Sequence, residues 1–570
     1  MARQAAIGIE DFGELIESGC FYIDKTCFIK EWWENRDKAT LITRPRRFGK
    51  TLAMSMVEHF FSVKHAGRGS LFEKLSIWEE EAYRKLQGTY PVISLSFSNV
   101  KEKNFADARK KICQILADLY TDHKFLIREG FLDEEDVRFF RRVSVDMDAV
   151  DASLAIYYLT KYLSRYYGKK AIVLLDEYDT PMQEAYVNGY WDELAGFLRG
   201  IMGSTLKGNP YLERGLMTGI TRISKESLFS GLNNLKAVTV TSQKYETIFG
   251  FTENEVIRAL EEFHLEHQLE DVRNWYDGYR FGNTGSIYNP WSIINFLDEG
   301  RLAAYWSNTS SNKLAGELIQ KGAAGIKQSV EDLLNGKTIC ADIDEEIVYD
   351  ELNYKKNAVW GLLLASGYLR ADGFRANRRG KREYLLALTN LEVREVFDNT
   401  FAGWLDSREY PNEDFSEALL AGNLEAMNRI LNDVLVSSIS YYDGGTRPSK
   451  FRLPENFYHG LVLGLIASLR GLYAVTSNRE SGFGRYDVML EPLKSGYDAM
   501  ILEFKVYDGE GQGLDAAVDA ALRQIIEKDY AALLEAKGIS KDRIRIYGFA
   551  FEGKTVLAGG GRVETRNDKR

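Results

Sequence analysis

The sequence predicts a multidomain α/β protein whose first domain is a parallel sheet with helices on both faces. Apolar strand-like runs alternate with helical periodicity between residues 40 and 240, and this alternation is typical of a parallel sheet with helical crossovers. A second group of short strands, led by an apolar helix, follows the Gly-Gly-Thr-Arg-Pro-Ser sequence at residues 444–449. The two groups indicate two α/β domains separated by a more helical region.

The first strand leads into an anion-binding turn. Residues 41–51 read Leu-Ile-Thr-Arg-Pro-Arg-Arg-Phe-Gly-Lys-Thr, and an apolar helical run follows to Phe61. N–H groups at a helix N-terminus point at a bound phosphate, Lys50 adds a positive charge, and the Thr51 hydroxyl can ligate Mg²⁺. Arg44 stands where the usual loop has its first glycine. Gly-Lys-Thr alone also occurs by chance, so a second motif is needed.

That second motif is the strand at residues 171–176, which ends in the adjacent carboxylates Asp176 and Glu177. A nucleotide-hydrolysing site needs a carboxylate on a neighbouring strand to hold Mg²⁺ through water, and a base or water-positioning group beside it. Asp176 and Glu177 suit these two roles. An ordinary core strand with a solvated acidic end is the alternative, but the order and separation from the Lys50 loop favour nucleotide binding.

A third strand, Gly215 to Arg222, ends in polar residues. Thr221 at its tip suits a sensor of the γ-phosphate, and Arg222 can stabilise charge in cis or reach a neighbouring subunit. A strand–turn–helix junction capped by threonine explains the same residues equally well.

The region after residue 250 predicts packing more than chemistry. Aromatic residues with Gly, Asn and Pro run from Trp275 to Gly282 and from Ile287 to Ser292. Turn residues and buried rings indicate a packed hairpin, which we favour over a stacking platform for bases. Residues 310–440 are expected to be mostly helical, with a strand pair near 367–389 and no catalytic constellation.

The last domain has a candidate metal site. A strand over residues 485–492 contains Asp487, and a strand over residues 498–506 contains Glu503 and Lys505. Alternation along a strand places Glu503 and Lys505 on one face, and a hairpin partner can bring Asp487 beside them. Two carboxylates can hold a divalent ion, and Lys505 can orient water or stabilise developing charge. A surface-charged hairpin is the alternative, but apolar neighbours would make isolated charges expensive.

Composition limits the classes of function. The 570 residues are 45% hydrophobic and 27% charged, with a net charge of −10, which argues against a surface that coats nucleic acid without excluding a local basic groove. The four cysteines form no C-x-x-C pair and the six histidines do not cluster. These features, with no secretory leader or membrane-spanning run, predict a cytoplasmic protein with reduced thiols.

Together these motifs resemble a bacterial family that fuses an AAA-type ATPase-like domain to a C-terminal PD-(D/E)XK nuclease-superfamily domain. The resemblance covers nearly the whole chain and is weakest over residues 310–440. In that family Arg-Pro-Arg-Arg-Phe-Gly-Lys is the usual loop, so Arg44 is a family variant. The matching motifs are Tyr22-Ile-Asp-Lys-Thr, Arg44-Pro-Arg-Arg-Phe-Gly-Lys-Thr, Leu174-Leu-Asp-Glu-Tyr-Asp, Thr218-Gly-Ile-Thr-Arg-Ile-Ser, Trp275-Tyr-Asp-Gly-Tyr, Tyr288-Asn-Pro-Trp-Ser, Tyr458-His-Gly, Gly482-Phe-Gly-Arg-Tyr-Asp and Glu503-Phe-Lys.

The resemblance implies a P-loop nucleoside triphosphatase fold followed by a restriction-endonuclease-like domain. It implies ATP and Mg²⁺ in the first and a divalent metal, Mg²⁺ or Mn²⁺, in the second, held by Asp487 and Glu503 with Lys505 and Gln524 catalytic. The third metal ligand stays open between Glu455, His459 and none. The expected nucleotide-site residues, with Glu177 as the base, are Arg46, Arg47, Phe48, Gly49, Lys50, Thr51, Asp176, Thr221 and Arg222, of which Thr51 and Asp176 serve the metal.

These inferences give four expected domains and competing functions. The domains are an ATPase-like domain at 1–245, a lid at 246–310, a mostly helical region at 311–440 and a nuclease-like domain at 441–570. The first hypothesis is an ATP-controlled, metal-dependent nuclease acting on nucleic acid, with a role in defence or mobile-element control. The others are a nucleotide-switched binding or scaffold protein with an inactive nuclease-like domain, and a slow signalling ATPase. A homo-oligomer is compatible with each, and the sequence leaves DNA versus RNA open.

Overall fold

The computed structural model forms two compact units, Met1–Val396 and Phe397–Arg570. Each unit has its own sheets and its own buried side chains. The structure describes residues 3–562 apart from residues 224–227, 230–231, 307–323, 335, 344–345, 348–355, 378–380, 398–411, 439–454, 467–468, 470, 482–483, 495, 508–512 and 553–554.

A five-stranded parallel sheet organises the first unit. Its strands lie in the order β2-β3-β4-β1-β6, and every neighbouring pair is parallel. Strands β1 and β3 are buried along their whole length, as expected where helices cover both faces of the sheet. The predicted parallel sheet is therefore confirmed. The strands are β1 (Ala39–Thr43), β2 (Val92–Ser96), β3 (Ala171–Asp176), β4 (Leu212–Gly219), β5 (Arg222–Ile223, outside this sheet) and β6 (Leu235–Val238).

The helices of this unit begin and end at sequence signals. Asn104, Asp133 and Asp148 each accept a backbone N–H at a helix start, which satisfies donors that the helix itself leaves unpaired. The helices are α1 (Phe12–Glu17), α2 (Cys27–Asn35), α3 (Lys50–Phe61), α4 (Glu81–Arg84), α5 (Phe105–Asp122), α6 (Phe125–Arg128), α7 (Glu134–Arg142), α8 (Ala149–Tyr167), α9 (Thr180–Asn188), α10 (Trp191–Leu206), α11 (Glu253–Glu262), α12 (Leu269–Tyr276), α13 (Pro290–Glu299), α14 (Ala324–Leu334) and α15 (Lys356–Ala365).

Three small sheets complete the first unit. The aromatic segment forms the hairpin β8 (Tyr279–Phe281) and β9 (Thr284–Tyr288), joined by β7 (Phe251–Thr252). The rings of Tyr279, Phe281 and Tyr288 are buried, so the packed-hairpin interpretation is confirmed. The expected pair near 367–389 is also present, within a three-stranded sheet. The remaining strands are β10 (Ile339–Asp342), β11 (Glu346–Ile347, parallel to β5), β12 (Leu369–Ala376) and β13 (Arg382–Leu388).

The second unit is a mixed five-stranded sheet with helices packed on it. The order is β14-β15-β16-β17-β18, in which only the β16–β17 pair is parallel. A helix connects these two strands, as a parallel crossover requires. The elements are β14 (Tyr473–Ser481), β15 (Gly484–Pro492), β16 (Ala499–Val506), β17 (Ile544–Glu552), β18 (Thr555–Arg562), α16 (Asn412–Ala421), α17 (Leu424–Ser438), α18 (Glu455–Leu465), α19 (Leu514–Glu527) and α20 (Ala532–Ala536).

Helices α16 and α17 supply part of the core of this second unit. Phe415 and Leu431 belong to the same buried cluster as Leu502 and Phe504 of β16. Both helices precede residue 441, where the sequence suggested that the last domain starts. Over the described residues, no helix is both long and apolar enough to span a membrane.

Candidate functional sites

The first candidate site lies where β1 meets α3. Gly49 precedes the helix with a φ of 75°, a left-handed conformation that glycine adopts without a steric penalty. A Cβ placed on Gly49 would meet no heavy atom within 4 Å, and no described side chain caps this N-terminus. The first N–H groups of α3 are therefore available to an anion, which the helix dipole also favours.

Lys50 lies inside this turn. Its ammonium is buried and donates to the carbonyl oxygens of Arg44 at 3.0 Å and Pro45 at 2.8 Å. Burial lowers the pKa of Lys50, while Glu177 and Asp176 oppose that shift. The lysine charge is thus held against the loop and close to the two carboxylates at the end of β3.

Asp176 connects the loop helix with two strands of the sheet. The Thr51 hydroxyl donates to Asp176 Oδ2 at 2.7 Å, and the Thr218 hydroxyl donates to Asp176 Oδ1. This contact exists because β4, which carries Thr218, lies between β1 and β3. Burial raises the pKa of Asp176, and the two hydroxyl hydrogen bonds partly offset the increase. The structure therefore brings the two residues predicted to serve Mg²⁺ into direct contact.

Glu177 has an unusual backbone conformation for its residue type. Its φ is 49°, in the left-handed region where a side chain with a Cβ costs free energy. Its carboxylate accepts a hydrogen bond from the Thr180 hydroxyl at 3.1 Å. Backbone strain next to Asp176 is consistent with a position selected for chemistry, because strained residues concentrate at such sites.

Thr221 is tied to a third carboxylate that the sequence analysis did not single out. Asp179 is buried and accepts from the Thr221 N–H and hydroxyl, both at 2.7 Å, and from the Ile220 N–H at 3.0 Å. Burial raises the pKa of Asp179 against these hydrogen bonds. Arg222 begins β5 and pairs with Glu346 of β11. The turn after β4 is therefore fixed by Asp179, and Thr221 contacts this residue instead of Asp176.

The remaining loop side chains pack against the aromatic hairpin region. The Phe48 ring lies 4.8 Å from the Tyr279 ring, and the Arg47 guanidinium lies 4.1 Å from the centre of the Trp291 ring. Arg46 donates to the Gln183 side chain at 3.3 Å. The Phe48 side chain is thus part of the hairpin core, which leaves its backbone as the group that faces the loop.

Arg44 has a structural role that explains the missing glycine. Its buried guanidinium lies 4.5 Å from the centre of the Phe281 ring and donates to the carbonyl oxygens of Thr43 at 2.9 Å and Thr239 at 2.7 Å. The residue connects β1, the segment after β6 and the hairpin β8–β9. The local sequence does not signal the contacts with Thr239 and Phe281, because Thr239 lies 195 positions away along the chain and Phe281 lies farther still.

Two further residues missed by sequence reasoning hold the loop backbone. The Asn289 side chain donates to the Arg46 carbonyl at 3.2 Å, and the Trp306 indole donates to the same oxygen at 3.3 Å. Asn289 also caps α13 by accepting the Trp291 N–H. Its Asn-Pro-Trp sequence was a recognisable helix-start signal, but the second use of its amide was not visible from the pattern.

The second candidate site lies on β15 and β16. The β15–β16 pairing reaches Val488 opposite Leu502, and just beyond it the Phe504 N–H donates to Asp487 Oδ2 at 2.8 Å. The Asp487 carboxylate thus replaces the backbone partner where the two strands separate. This places Asp487 beside Glu503, as the sequence predicted from strand alternation.

Glu503 carries the strongest evidence for a ligand at this site. Its side chain is 1% exposed, and its Oε1 accepts from Lys505 at 3.3 Å and from Gln524. Its buried Oε2 has no hydrogen-bond partner among the described residues. Burial, followed by the nearby Asp487 charge, raises the pKa of Glu503 to about 7. A divalent cation bound between these carboxylates would satisfy this oxygen and favour the ionised form, so the residues fit a metal.

His459, on helix α18, is the candidate third metal ligand whose side chain the structure describes. Its ring is buried, 5.3 Å from the Phe504 ring, and its Nε2 has no described hydrogen-bond partner. Burial lowers the pKa of His459, and Asp487 opposes the shift. Glu455 begins α18, and its side chain is outside the described residues. In the described part of the chain, no three His, Cys, Asp or Glu side chains form a ready metal cluster.

Two stretches of the chain, one around each candidate site, match known protein families. Residues 6–229 match a family described as a predicted AAA-ATPase of the AAA-ATPase-like type, and residues 453–559 match the PD-(D/E)XK nuclease superfamily. The chain therefore carries an AAA-ATPase-like domain and a PD-(D/E)XK nuclease-superfamily domain, which is the fusion that its motifs resemble.

One relative extends this similarity over the whole length. An uncharacterized protein in the vnfD 5′ region of Azotobacter chroococcum mcd 1 is 24% identical over 571 residues, covering 96% of this chain and 99% of that protein. The similarity thus spans both matched regions of this chain and the region between them.

Proposed function

We propose that the protein is an ATP-binding and ATP-hydrolysing P-loop protein whose nucleotide state controls a metal-dependent nuclease domain. The cleavage step would break phosphodiester bonds of a nucleic acid. The single observation that carries the proposal is Glu503 Oε2, a buried oxygen without a described partner on a side chain whose other oxygen contacts Lys505, because a buried carboxylate oxygen without a donor calls for a cation.

The nucleotide half of the proposal rests on the contacts at the end of β3. Gly49 and the N-terminus of α3 would hold phosphate oxygens, and Lys50 would add positive charge. Thr51 and Asp176 would hold Mg²⁺, which supplies charge neutralisation on the phosphates when it is bound. Glu177 would position or deprotonate the attacking water.

In the nuclease half, each residue has a distinct expected role. Asp487 and Glu503 would hold the metal, which acts as a Lewis acid toward the scissile phosphate when bound. Lys505 would orient water or stabilise the charge that develops on the phosphate oxygens. Gln524, which contacts both Glu503 and the Tyr530 hydroxyl, would fix the Glu503 rotamer.

Cleavage of mixed DNA and RNA, single- and double-stranded, tests the nuclease half. With Mn²⁺ or Mg²⁺, we expect the wild-type chain to cut at least one substrate and Asp487→Asn to lower the rate by a factor of about 100 or more, since loss of even an outer-shell partner of a metal typically costs about 10- to 100-fold in activity. Glu491→Gln is the matched control, because Glu491 lies on the same strand but pairs with Lys537. Cutting that survives in Asp487→Asn would refute the assignment.

A nucleotide-switched binding protein is the second candidate, and one observation favours it. Glu503 Oε1 is already shared by Lys505 and Gln524, so the group is partly satisfied without a metal. In that case no substrate would be cut under any nucleotide state. ATP-dependent partner capture or oligomerisation would persist in Asp487→Asn.

Glu177→Gln tests the ATPase half and does not depend on nuclease activity. Replacing the carboxylate by an amide keeps the shape and removes the base, so we expect ATP to bind with unchanged affinity and hydrolysis to fall by about 100-fold or more. Glu184→Gln, on the adjacent helix α9, is the control. Unchanged turnover in Glu177→Gln would exclude Glu177 as the base.

The cellular setting completes the proposal. A cytoplasmic location is consistent with the free cysteines in the described residues, and nucleic acid and ATP are both available there. Self-association would allow Arg222 to act on a neighbouring subunit, as arginine residues do in trans in other nucleotide hydrolases.

A further inference from the structure

A cavity in the second unit lies away from the metal site and has an excess of positive charge. Its volume is about 390 Å³, and its walls include Tyr497, Asp498, Arg543, Arg545 and Arg562. Asp498 comes just before the first residue of β16, whereas Glu503 and Lys505 lie near its last residues. At about 3.3 Å per residue, some 16 Å of strand separate Asp498 from Glu503.

Three arginines surround one carboxylate in this cavity. Asp498 accepts from Arg543 at 2.8 Å and from Arg545 and Arg562, each at 2.9 Å. Burial alone would raise the pKa of Asp498, but the three guanidinium hydrogen bonds together lower it. Asp498 is therefore ionised at neutral pH, yet a single arginine would be enough to neutralise it. No other acidic side chain lines the described walls, so two positive charges remain in excess.

The strand pairing shows that this excess is built into the sheet. Arg545 of β17 pairs directly with Arg562 of β18, and like charges in directly opposite positions destabilise a sheet. Arg543 lies at the end of the short 3₁₀ turn that leads into β17, and its guanidinium reaches the same carboxylate. Such an arrangement is costly unless an anion lies over the group and offsets the repulsion.

Arg545 is held in place by more than its carboxylate partner. It also donates to the Leu420 carbonyl at 2.9 Å near the C-terminal end of α16. A Cβ at Gly422 would lie 2.8 Å from Arg545 Nη1, so the absent side chain leaves space for the guanidinium. The cationic group is therefore oriented before any ligand arrives, which lowers the entropic cost of binding.

An exposed aromatic ring at the cavity narrows the class of ligand. Tyr497 is 38% exposed, and its ring packs edge to face on Tyr473, with ring centres 5.9 Å apart. Tyr473 is itself fixed by a hydrogen bond from its hydroxyl to the Asp498 carbonyl at 3.0 Å. Guanidinium groups bind phosphate oxygens in pairs, and a supported tyrosine ring can stack on a base.

We propose that this cavity binds a phosphate group carried by a nucleotide, either free or within a nucleic-acid strand. The site is separate from Asp487 and Glu503 and does not depend on nuclease activity. A phosphate held there lies too far from Glu503 to be the one that is cut. A strand that occupies both places would be fixed in register, and a free nucleotide would act as an effector of the second unit.

Binding to the full chain tests the proposal. All proteins carry Lys50→Ala, so that any residual binding at the nucleotide loop is the same in each of them. They also carry Asp487→Asn, so that no substrate is cut. Divalent metal is omitted. AMP is titrated by calorimetry, and a labelled single-stranded oligonucleotide is titrated by fluorescence anisotropy. We expect Arg543→Gln with Arg562→Gln to weaken binding of one probe by about tenfold or more, because charge-assisted hydrogen bonds are lost. Arg523→Gln, an exposed arginine on α19, should leave binding unchanged.

The identity of the affected probe distinguishes the two sources of phosphate. Weaker AMP binding indicates a free nucleotide, whereas weaker oligonucleotide binding alone indicates a strand. Asp498→Asn should have the opposite effect on binding. It removes the one carboxylate in the described walls of the cavity, so phosphate should bind more tightly at low salt. If the paired arginine substitutions change neither probe, while the thermal midpoint shows a folded chain, the arginines serve only to hold Asp498 and the proposal is wrong.

Discussion

Asp176, Glu392 and Glu503 are buried carboxylates, and burial raises the pKa of each. They differ in how many donors they receive. Two threonine hydroxyls serve the two oxygens of Asp176, and Glu392 accepts from the Ser292 hydroxyl and the Trp306 N–H. Glu503 keeps an oxygen without a described donor. Of these three carboxylates, Glu503 is therefore the one that keeps a buried oxygen open to a ligand even before any ligand displaces a protein donor.

Glu392 predicts how the stability of the first unit depends on pH. Its pKa is raised to about 7, first by burial and then by the nearby Glu395, against the Trp306 and Ser292 hydrogen bonds. The folded chain therefore holds this proton more tightly than the unfolded chain. Stability from this group is complete below the ordinary glutamate pKa and is lost as pH rises through 7.

Glu392→Gln should remove that loss. We expect the variant to resemble the wild type at pH 5 and to exceed it at pH 8 by up to about 3 kcal/mol in the free energy of unfolding, as a shift of this size implies. Thermal midpoints from pH 5 to pH 8 measure the difference. Glu395→Gln is the control and should change the dependence of the thermal midpoint on pH only a little. A variant that is less stable than the wild type at pH 8 would contradict the assignment.

At the residue scale, the sequence predicted the members of each site that lie in one short motif. Thr51, Asp176, Asp487 and Glu503 were predicted because phosphate and metal chemistry restricts residue types at fixed spacing, and the structure brings Thr51 to Asp176 and Asp487 to the strand of Glu503. Thr221 shows what a motif does not predict, since both its backbone N–H and its hydroxyl donate to Asp179. A pattern places a residue at the tip of a strand, but the hydrogen-bond partner there depends on packing between strands.

At the element scale, the phosphate loop depends on the hairpin β8–β9 and on the start of α13. Phe48 packs on Tyr279, Arg44 lies under Phe281, and Asn289 holds the Arg46 carbonyl. The loop is thus shaped from outside by elements that contribute no group to the phosphate. Its usual glycine is replaced by an arginine because this position faces the protein interior.

Restoring that glycine should therefore damage the protein. Arg44→Gly removes the guanidinium that donates to the carbonyl oxygens of Thr43 and Thr239 and opens a cavity beside Phe281. We expect a loss on the order of 3 kcal/mol in the free energy of unfolding and weaker nucleotide binding. Denaturant melts and ATP titrations measure the two effects. Arg36→Gly is the control, since Arg36 ends α2 with a φ of 55°, where glycine is favoured.

The strands and helices were more predictable than their arrangement. Strand β3 and helix α3 follow from continuous apolar runs and from a Gly-Lys-Thr helix start. The insertion of β4 between β1 and β3 does not, because sequence order gives no strand order. That insertion brings Thr218 to Asp176, so one contact of the first site depended on topology alone.

At the scale of the whole molecule, the second unit extends beyond its matched family region. That region covers residues 453–559, whereas the compact unit covers Phe397–Arg570. Helices α16 and α17 place Leu419, Met427 and Leu435 in the buried cluster around Phe504. Without these helices, the face of the sheet that they cover would be exposed to water.

Two fragments test this dependence. A fragment of residues 397–570 should fold cooperatively, whereas a fragment of residues 441–570 should aggregate or lack fixed tertiary structure, because it exposes a large apolar face. Near-ultraviolet circular dichroism and limited proteolysis compare them. A cooperative thermal transition in the shorter fragment would show that α16 and α17 are dispensable.

There is a physical reason why the sequence did not predict that the second unit includes α16 and α17. Helical periodicity in residues 412–438 shows that one face is buried, but it does not say which sheet buries that face. The Gly-Gly-Thr-Arg-Pro-Ser sequence suggested a boundary because turn residues are common between domains. The turn predicted at residues 444–449 lies outside the described residues, and the buried cluster includes side chains that precede it, such as Phe415 and Leu435.

The hydrogen bond from the Trp306 indole to the Arg46 carbonyl also affects how the chain folds while the ribosome synthesises it. The two residues are 260 positions apart, so at about 5–20 residues per second roughly 10–50 s pass between their translation. During that interval the nascent loop has its glycine, lysine and threonine but lacks the indole that orients its backbone. The contacts that hold the loop backbone are therefore completed late in translation, after the strands of the parallel sheet have all emerged.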